Sequence, residues 1–143
     1  MDNEFIEALV SIVSFFNRTD RDKSFIKKAG VDLEATSFQL FVTIGRMQPA
    51  NVTSLANVLG KSYSSVSRQV DKLENKGLVT TKSSEVDARN RLIELSNDGE
   101  NLKKILDATR LKQIDLALQD WSDNEKIDLL NNLQHLAETL KKM

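Results

Sequence analysis

Residues 51–79, "NVTSLANVLGKSYSSVSRQVDKLENKGLV", carry the signals of two short helices joined by a tight turn. Thr53 is a candidate N-cap of the first helix, and Gly60 ends it because glycine adopts the left-handed conformation at little cost. Ser62 is the candidate N-cap of the second helix, and Gly77 follows where a left-handed terminating residue belongs. The stretch therefore predicts a helix-turn-helix.

The second of these helices has a polar outer face. Apolar residues recur in it at intervals of three or four, and the polar residues lie on the other side. The apolar set is Tyr63, Val66, Val70 and Leu73, and the polar set is Ser64, Ser65, Arg68 and Lys72. A helix with a polar and basic outer face in this position is typical of one that enters the major groove of DNA.

A β-hairpin is predicted directly after the second helix. The runs "LVTTKSS" and "RLIELS" are rich in β-forming residues and are separated by the polar stretch "EVDARN". Ile93 and Leu95 would share the inward face of the second strand. Ser96 then caps a long helix, and Gly99 allows close packing at its start. A helix-turn-helix followed by a hairpin is the element order of a winged helix.

Amphipathic helices flank the winged helix on both sides. Residues 4–16 form a helix with a wide apolar face, residues 33–47 form a second helix ending near Gly45, and the last helix begins after Ser122. The terminal helices have more apolar surface than a small winged helix can cover. We therefore expect a homodimer in which the first helix and the last two intertwine with those of the partner.

The predicted fold is mainly α with a small β-hairpin wing. It is a winged helix-turn-helix flanked by dimerisation helices, all within one compact chain. We predict an N-terminal dimerisation helix region at 1–30, a winged-helix DNA-binding domain at 31–96, and C-terminal dimerisation helices at 97–143.

Charge is distributed unevenly along the chain. The net charge is −1, yet seven basic residues stand against four acidic ones between Lys61 and Arg91. A local positive patch is thus expected on a protein whose remaining surface repels polyanions.

The residue inventory excludes several kinds of chemistry. The chain has no cysteine and one histidine, His135, so neither a dedicated transition-metal site nor a Ser/His/Asp or Cys/His catalytic set is expected. We interpret His135 as a partly buried or interface residue and Trp121 as a packing anchor. We expect no enzymatic activity, no metal and no cofactor.

A cytoplasmic location without membrane association is expected. The N-terminal "MDNEF" has acids where a signal peptide would have lysines. No apolar run approaches the roughly 20 residues that span a bilayer.

The chain resembles the multiple antibiotic resistance regulator (MarR) family of dimeric winged-helix transcription factors. The wing pattern of that family is Asp, any residue, Arg, then a strand ending in Leu-Thr with Gly three residues after the Thr. It stands here as Asp87, Ala88, Arg89, "NRLIE", Leu95, Ser96, "ND" and Gly99. The recognition-helix pattern also matches, at residues 64–79. Two departures are Ala88, where many relatives have a second Arg that strengthens the grip on DNA, and Ser96, which replaces Thr with the same capping chemistry.

The wing supplies three candidate DNA-binding residues. A long cation at a wing tip can enter a narrow minor groove, and Arg89 is the candidate for that role; the resemblance implies the same. The resemblance also implies that Asp87 orients the tip by pairing with a nearby base. Arg91 lies closer to the strand, where it either reaches a phosphate or stays in water. The alternative for the arginines is a solvated surface pair.

The recognition helix and its surroundings supply the other candidates. Arg68 can contact a base edge or a phosphate. The hydroxyls of Ser64, Ser65 and Ser67 can do either, and the helix start near Ser62 offers backbone N–H groups to a phosphate. The non-specific phosphate partners, each with a solvated side chain as the alternative, are Lys61, Lys72 and Lys82. Tyr63 is equally compatible with the core and with a DNA contact.

These observations favour a sequence-specific DNA-binding regulator. We interpret the chain as a repressor that binds a pseudo-palindromic, inverted-repeat operator in double-stranded DNA as a homodimer. The resemblance implies a small-molecule effector bound between the dimerisation helices and the winged helix, although the sequence names no ligand. Core packing is a better explanation than a ligand cleft for four phenylalanines, Phe16, Phe25, Phe38 and Phe41. The alternative function is a winged-helix protein–protein interaction module without DNA binding.

Overall fold

The computed structural model describes residues 1–21, 33–83 and 91–143. Within them the chain forms six α-helices and two strands: α1 (Asp2–Arg21), α2 (Ala35–Met47), α3 (Val52–Leu59), α4 (Tyr63–Asn75), β1 (Val79–Lys82), β2 (Leu92–Leu95), α5 (Asn97–Ala117) and α6 (Asp123–Lys141). The predicted fold class, mainly helical with a small hairpin in a winged-helix order, is confirmed. Four residues discussed above, Phe25, Asp87, Ala88 and Arg89, lie outside the described residues.

Two compact units divide the chain, Met1–Leu106 and Asp107–Met143, and their boundary falls inside α5. In the first unit α2 packs against α1, α3, α4 and β2. Its core combines apolar side chains from every element of the winged helix: Phe38, Phe41, Ile44, Val52, Leu55, Val66, Val70, Leu73, Val79, Ile93, Leu95, Leu102 and Leu106. Burial of each such side chain contributes about 1.5–3 kcal/mol, so the winged helix completes a core of its own.

The helix ends of the helix-turn-helix follow the predicted residues with one correction. Asn51, and not Thr53, is the N-cap of α3: its side chain accepts a hydrogen bond from the Ser54 N–H at 2.8 Å. The reason is that Val52 is fully buried and belongs to the first turn, which starts the helix earlier. Gly60 and Gly77 both adopt positive φ, as predicted.

The hairpin pairs β1 and β2 antiparallel, with Val79 opposite Leu95 and Lys82 opposite Leu92. A one-residue bridge widens the sheet on the other edge of β2, because Ala50 and Ile93 exchange two backbone hydrogen bonds of 3.1 and 2.7 Å. The predicted inward residues of β2, Ile93 and Leu95, are buried.

Gln48 fastens the base of the sheet with its side-chain amide. Its Oε1 accepts from the Leu95 N–H at 2.9 Å, while its Nε2 donates to Glu100 of α5 at 2.9 Å. One side chain thus joins the end of α2 to β2 and to the first turns of α5.

The second unit contains the end of α5 and the whole of α6. Ser122 caps α6 as predicted, within a reciprocal capping box in which Glu125 N–H donates to Ser122 Oγ and Ser122 N–H donates to Glu125 Oε1, both at 3.1 Å. Two hydrogen bonds from Ser122 lower the pKa of the Glu125 carboxyl below its ordinary value. The backbone N–H has the larger effect and the side chain the smaller one.

The two terminal helices expose their apolar faces. Side chains of α6 such as Leu130 and Leu136 are 39–56% exposed, and those of α1 such as Phe5 and Phe16 are 42–60% exposed. His135 and Trp121 are exposed as well. No helix among the described residues is long and apolar enough to cross a membrane.

Candidate nucleic-acid interface

The outer face of α4 carries most of the predicted recognition-helix contacts. Val66, Val70 and Leu73 are buried against the core, as predicted. At 3.6 residues per turn the opposite side of the helix presents the exposed residues Ser64, Arg68, Asp71, Lys72 and Asn75. Arg68 and Lys72, one turn apart, therefore form a basic stripe directed away from the core.

The start of α4 is organised by its N-cap. The Ser62 hydroxyl accepts from the Ser65 N–H at 3.2 Å and lies 3.4 Å from the Ser64 hydroxyl. A capped helix N-terminus carries partial positive charge, which favours a phosphate in its vicinity. The hydroxyls of Ser62 and Ser64 both lie at this exposed end of the helix.

The structure separates Ser65 and Ser67 from the outer stripe. Both are half-buried, on opposite flanks of α4. The flank of Ser65 also carries Gln69, which is tied to the neighbouring helix because Ser37 Oγ donates to Gln69 Oε1 at 2.7 Å. Ser67 shares the other flank with Glu74, next to the hairpin. Of the predicted serines, Ser64 is thus the one most fully presented by the outer face.

Lys61 and Lys82 stand at the two ends of the surface. Lys61 precedes α4, where its N–H donates to the Ala56 carbonyl at 3.0 Å, and its side chain is exposed. Lys82 is the last residue of β1 and is also exposed. Tyr63, which the sequence left undecided, is 39% exposed at the start of α4.

Arg91 forms an ion pair with the recognition helix. Its Nη2 donates to Asp71 Oδ1 at 3.0 Å, which joins the residue before β2 to the outer face of α4. The sequence had suggested either a phosphate or water as the partner of this arginine. On the same side of the helix, Thr81 of β1 donates a short hydrogen bond to the Glu74 carboxylate. Both strands of the hairpin are therefore held against α4.

The base of the hairpin is closed by Ser96 and Gly99. Ser96 N–H donates to the Leu78 carbonyl at 3.0 Å, and its hydroxyl donates to the Gly77 carbonyl and accepts from Gly99 N–H. A Cβ on Gly99 would stand 2.1 Å from the Leu78 carbonyl oxygen. The Ser-x-x-Gly spacing of the wing pattern thus lets the backbone after α4 pass close to the backbone at the start of α5.

Among residues 1–21, 33–83 and 91–143, no group of three or more His, Asp or Glu side chains is placed to hold a metal ion. What the surface does present is a capped helix start, hydroxyls and a basic stripe beside a hairpin.

Comparison with known proteins identifies the family. The sequence profile of the MarR family matches residues 33–90. The chain is also 32% identical, over 107 residues, to the HTH-type transcriptional regulator SarZ of Staphylococcus haemolyticus (strain JCSC1435), a match that covers 73% of this chain and 70% of that relative. The chain belongs to the MarR family. MarR-family proteins are transcriptional regulators and not enzymes.

Solved MarR-family structures share the fold. Staphylococcus aureus MarR, in complex with salicylate and kanamycin, superimposes with a TM-score of 0.68 at 18% identity, over 99% of this chain and 93% of that one. Streptococcus pneumoniae FabT, in complex with DNA, superimposes with a TM-score of 0.67 at 17% identity, over 99% of both chains. These similarities confirm the architecture of this MarR-family chain.

Two acids of α4 that contact the hairpin were missed from the sequence. Asp71 and Glu74 are three residues apart, which places them on adjoining positions of one helix face. That spacing was visible, but their partners Arg91 and Thr81 come from the hairpin, whose position relative to α4 only the tertiary structure gives. Asn75, on the outer face of this MarR-family protein, was also absent from the predicted set.

Proposed function

We propose that this MarR-family protein represses transcription by binding an inverted-repeat operator as a homodimer. The observation that carries the proposal is the outer face of α4, where the exposed Ser64, Arg68 and Lys72 project from a capped helix beside the hairpin. Hydroxyl and guanidinium groups on such a helix can reach base edges and phosphates in the major groove. The excess of basic residues between Lys61 and Arg91 supports the same surface.

The remaining predicted contacts follow from this docking. With α4 in the major groove, the hairpin lies along the backbone, and Arg89 enters the neighbouring minor groove while Asp87 orients the tip. Lys61 and Lys82, at the margins of the surface, act as phosphate partners. The existence of a FabT–DNA complex with the same fold supports this mode of binding.

The apolar faces of α1 and α6 support a homodimer. Large side chains on both helices are 39–60% exposed among the described residues, at helical spacing. Contiguous apolar surface of this kind marks an interaction site, and a second copy offers the matching faces. Twofold symmetry then presents two α4 helices to half-sites about one helical turn apart. Such a dimer bound across a promoter excludes polymerase, and we expect it to act in the cytoplasm, where its operator lies.

A small-molecule effector completes the proposal. The complex of Staphylococcus aureus MarR with salicylate supports an aromatic acid as the first compound to test. Release requires that the effector bind more tightly to a dimer that cannot bind DNA. Phe38 and Phe41 are 1% exposed core residues, which supports packing as their role, and Phe16 lies on the exposed face of α1.

Selection from a random duplex pool tests the function. The purified protein is incubated with the pool, and the enriched duplex is then titrated at two salt concentrations with wild type, Arg68→Ala, Arg89→Ala and Lys104→Ala. We expect an inverted repeat with Kd near 10⁻⁸ M or tighter, a steep loss of affinity with salt, and a cost of about 1–3 kcal/mol for Arg68→Ala. Lys104, exposed on α5, is the control and should change affinity little.

Each result has a defined meaning. Binding lost or much weakened in Arg89→Ala supports the wing in the minor groove, whereas unchanged binding contradicts that account and leaves the DNA-binding function standing. Failure to enrich any duplex, with no salt-dependent binding, contradicts the regulator and favours the protein–protein interaction module. Weaker operator binding in the presence of salicylate supports the effector.

A further inference from the structure

Side-chain contacts join the hairpin to the recognition helix in the part of the chain that the structure describes. Asp71 Oδ1 accepts from Arg91 at 3.0 Å, and the Glu74 carboxylate accepts from Thr81. Thr81 belongs to β1 and Arg91 directly precedes β2, and the two acids are three residues apart on α4. These contacts hold the hairpin to α4 at Asp71 of the outer face and at Glu74 of the adjoining flank.

The two partners of the ion pair differ in exposure. The side chain of Arg91 is 17% exposed, whereas that of Asp71 is 57% exposed. Packing against its surroundings therefore fixes much of the arginine, while the carboxylate sits on the outer face of α4 with Arg68. A carboxylate on that face repels phosphate, and the pairing with Arg91 neutralises it.

Building on the proposed DNA-binding function, we propose that Asp71 is a positioning residue for the wing. By holding Arg91, it fixes the angle between the hairpin and α4, so that the two elements meet a half-site in one fixed arrangement. Arg91 is consequently a structural partner of the recognition helix and not a phosphate contact. Discrimination between operator and other DNA depends on this pair, although neither residue contacts a base.

A fixed angle between the hairpin and α4 increases specificity, because only DNA that fits both elements at the same time is bound tightly. The recognition helix reads one groove and the hairpin the next, so loosening their connection lets each find backbone contacts independently. In such a loosened protein, the affinity for any duplex depends mainly on the charge of the protein surface, and the preference for the operator over random DNA falls. The quantity to measure is therefore the ratio of the Kd for a random duplex to the Kd for the operator of the same length.

A double-mutant cycle separates positioning from charge. Full-length wild type, Asp71→Asn, Arg91→Gln and the double variant are titrated with both duplexes at several salt concentrations. Each single substitution should lower the specificity ratio about two- to fivefold, the range of an exposed ion pair, and the double variant should lower it no further. Asp71→Asn should also bind random DNA more tightly, and Arg91→Gln less tightly, because each changes one charge beside the phosphates.

Lys72→Gln is the matched control, since it removes one exposed cation of α4 outside the pair. It should weaken binding to both duplexes alike and leave the specificity ratio unchanged. Amide hydrogen exchange of Val79–Lys82 and Leu92–Leu95 gives a readout without DNA. Exchange should quicken in Asp71→Asn and Arg91→Gln and stay the same in Lys72→Gln.

The outcomes distinguish this inference from the function on which it rests. One result would overturn the positioning role: Arg91→Gln lowers the salt dependence of DNA binding by about one phosphate contact, and Asp71→Asn keeps the specificity ratio of wild type. Arg91 would then bind a phosphate. Unchanged hydrogen exchange in both variants overturns the positioning role as well. If wild type itself binds no DNA, the proposed function fails and the specificity role with it, and the exchange data then report only whether the pair holds the hairpin.

Discussion

Helices α4 and α6 have similar sequence patterns and opposite surroundings. Both place apolar residues at intervals of three and four, yet Val66, Val70 and Leu73 of α4 are 0–1% exposed, whereas Leu133 and Leu136 of α6 are 45% and 39% exposed. The first face is covered by helices and a strand of the same unit, whereas much of the second remains exposed among the described residues. Periodicity thus predicts that a helix has an apolar face and leaves open which molecule covers it.

Truncation of one leucine on each helix is the strongest test of this contrast. Leu73→Ala should lower the free energy of unfolding by about 2–5 kcal/mol, because it leaves a cavity in a closed core. Leu136→Ala should act through association, so its effect should depend on protein concentration. Urea unfolding, followed by circular dichroism at two concentrations about a hundredfold apart, measures both. A large, concentration-independent cost for Leu136→Ala would show that its face is covered within one chain.

A substitution at Gly99 tests how closely the winged helix is packed. Gly99→Ala should destabilise the protein by about 3 kcal/mol, because its Cβ would meet the Leu78 carbonyl oxygen and force the backbone apart. Gly60→Ala is the matched control: Gly60 has φ +65° with open space around it, so the cost is only that of a left-handed alanine, about 1 kcal/mol. Equal losses in thermal or urea unfolding would contradict the close approach at Gly99.

Paired substitutions at Asn51 and Thr53 test the start of α3. Asn51→Ala should cost about 1 kcal/mol, because the Ser54 N–H loses its cap. Thr53→Ala should be close to neutral, since Thr53 is exposed within the first turn. Urea unfolding measures the loss of stability in both variants. A larger loss for Thr53→Ala than for Asn51→Ala would contradict the cap seen in the structure and favour the one that the sequence predicts.

The smallest expected effect concerns the capping box of α6. Because the pKa of Glu125 is lowered in the folded helix, the capping contribution is present above the unfolded pKa and is lost as the pH falls through the folded one. Titration of the Glu125 carboxyl by NMR should give a midpoint below that of an ordinary glutamate. Ser122→Ala should raise that midpoint, since it removes the side-chain hydrogen bond that helps to lower the pKa of Glu125. An unchanged midpoint would mean that the Ser122 side chain contributes nothing to the shift.

The helix-turn-helix was predictable because its signals are local. A capping serine at 62, glycines at 60 and 77, and the apolar period of α4 each act within a few residues. The start of α3 was the exception. Asn51 and Thr53 are both of residue types that cap helices, and the burial of Val52 decides that Asn51 is the cap. That burial depends on the packed core, which local signals do not describe.

The contacts between elements were not predictable in the same way. Asp71 and Arg91 are 20 residues apart, and their pairing depends on the angle at which the hairpin leaves α4. The sequence shows an arginine near a strand and predicts a phosphate or water around it, because no local signal connects residue 91 with the acid at residue 71. The orientation of Ser65 and Ser67 toward the flanks of α4 likewise became visible only once the helix was placed on its core.

The closed base of the hairpin has a consequence for how such a protein can change. The chain enters the hairpin after Leu78 and leaves it before Ser96, and these two residues are joined by a 3.0 Å hydrogen bond. Only residues 83–90 separate Lys82 from Arg91. That hydrogen bond is made outside the segment between Lys82 and Arg91. We therefore expect that changes of sequence or length within this segment leave the fold of the winged helix unchanged.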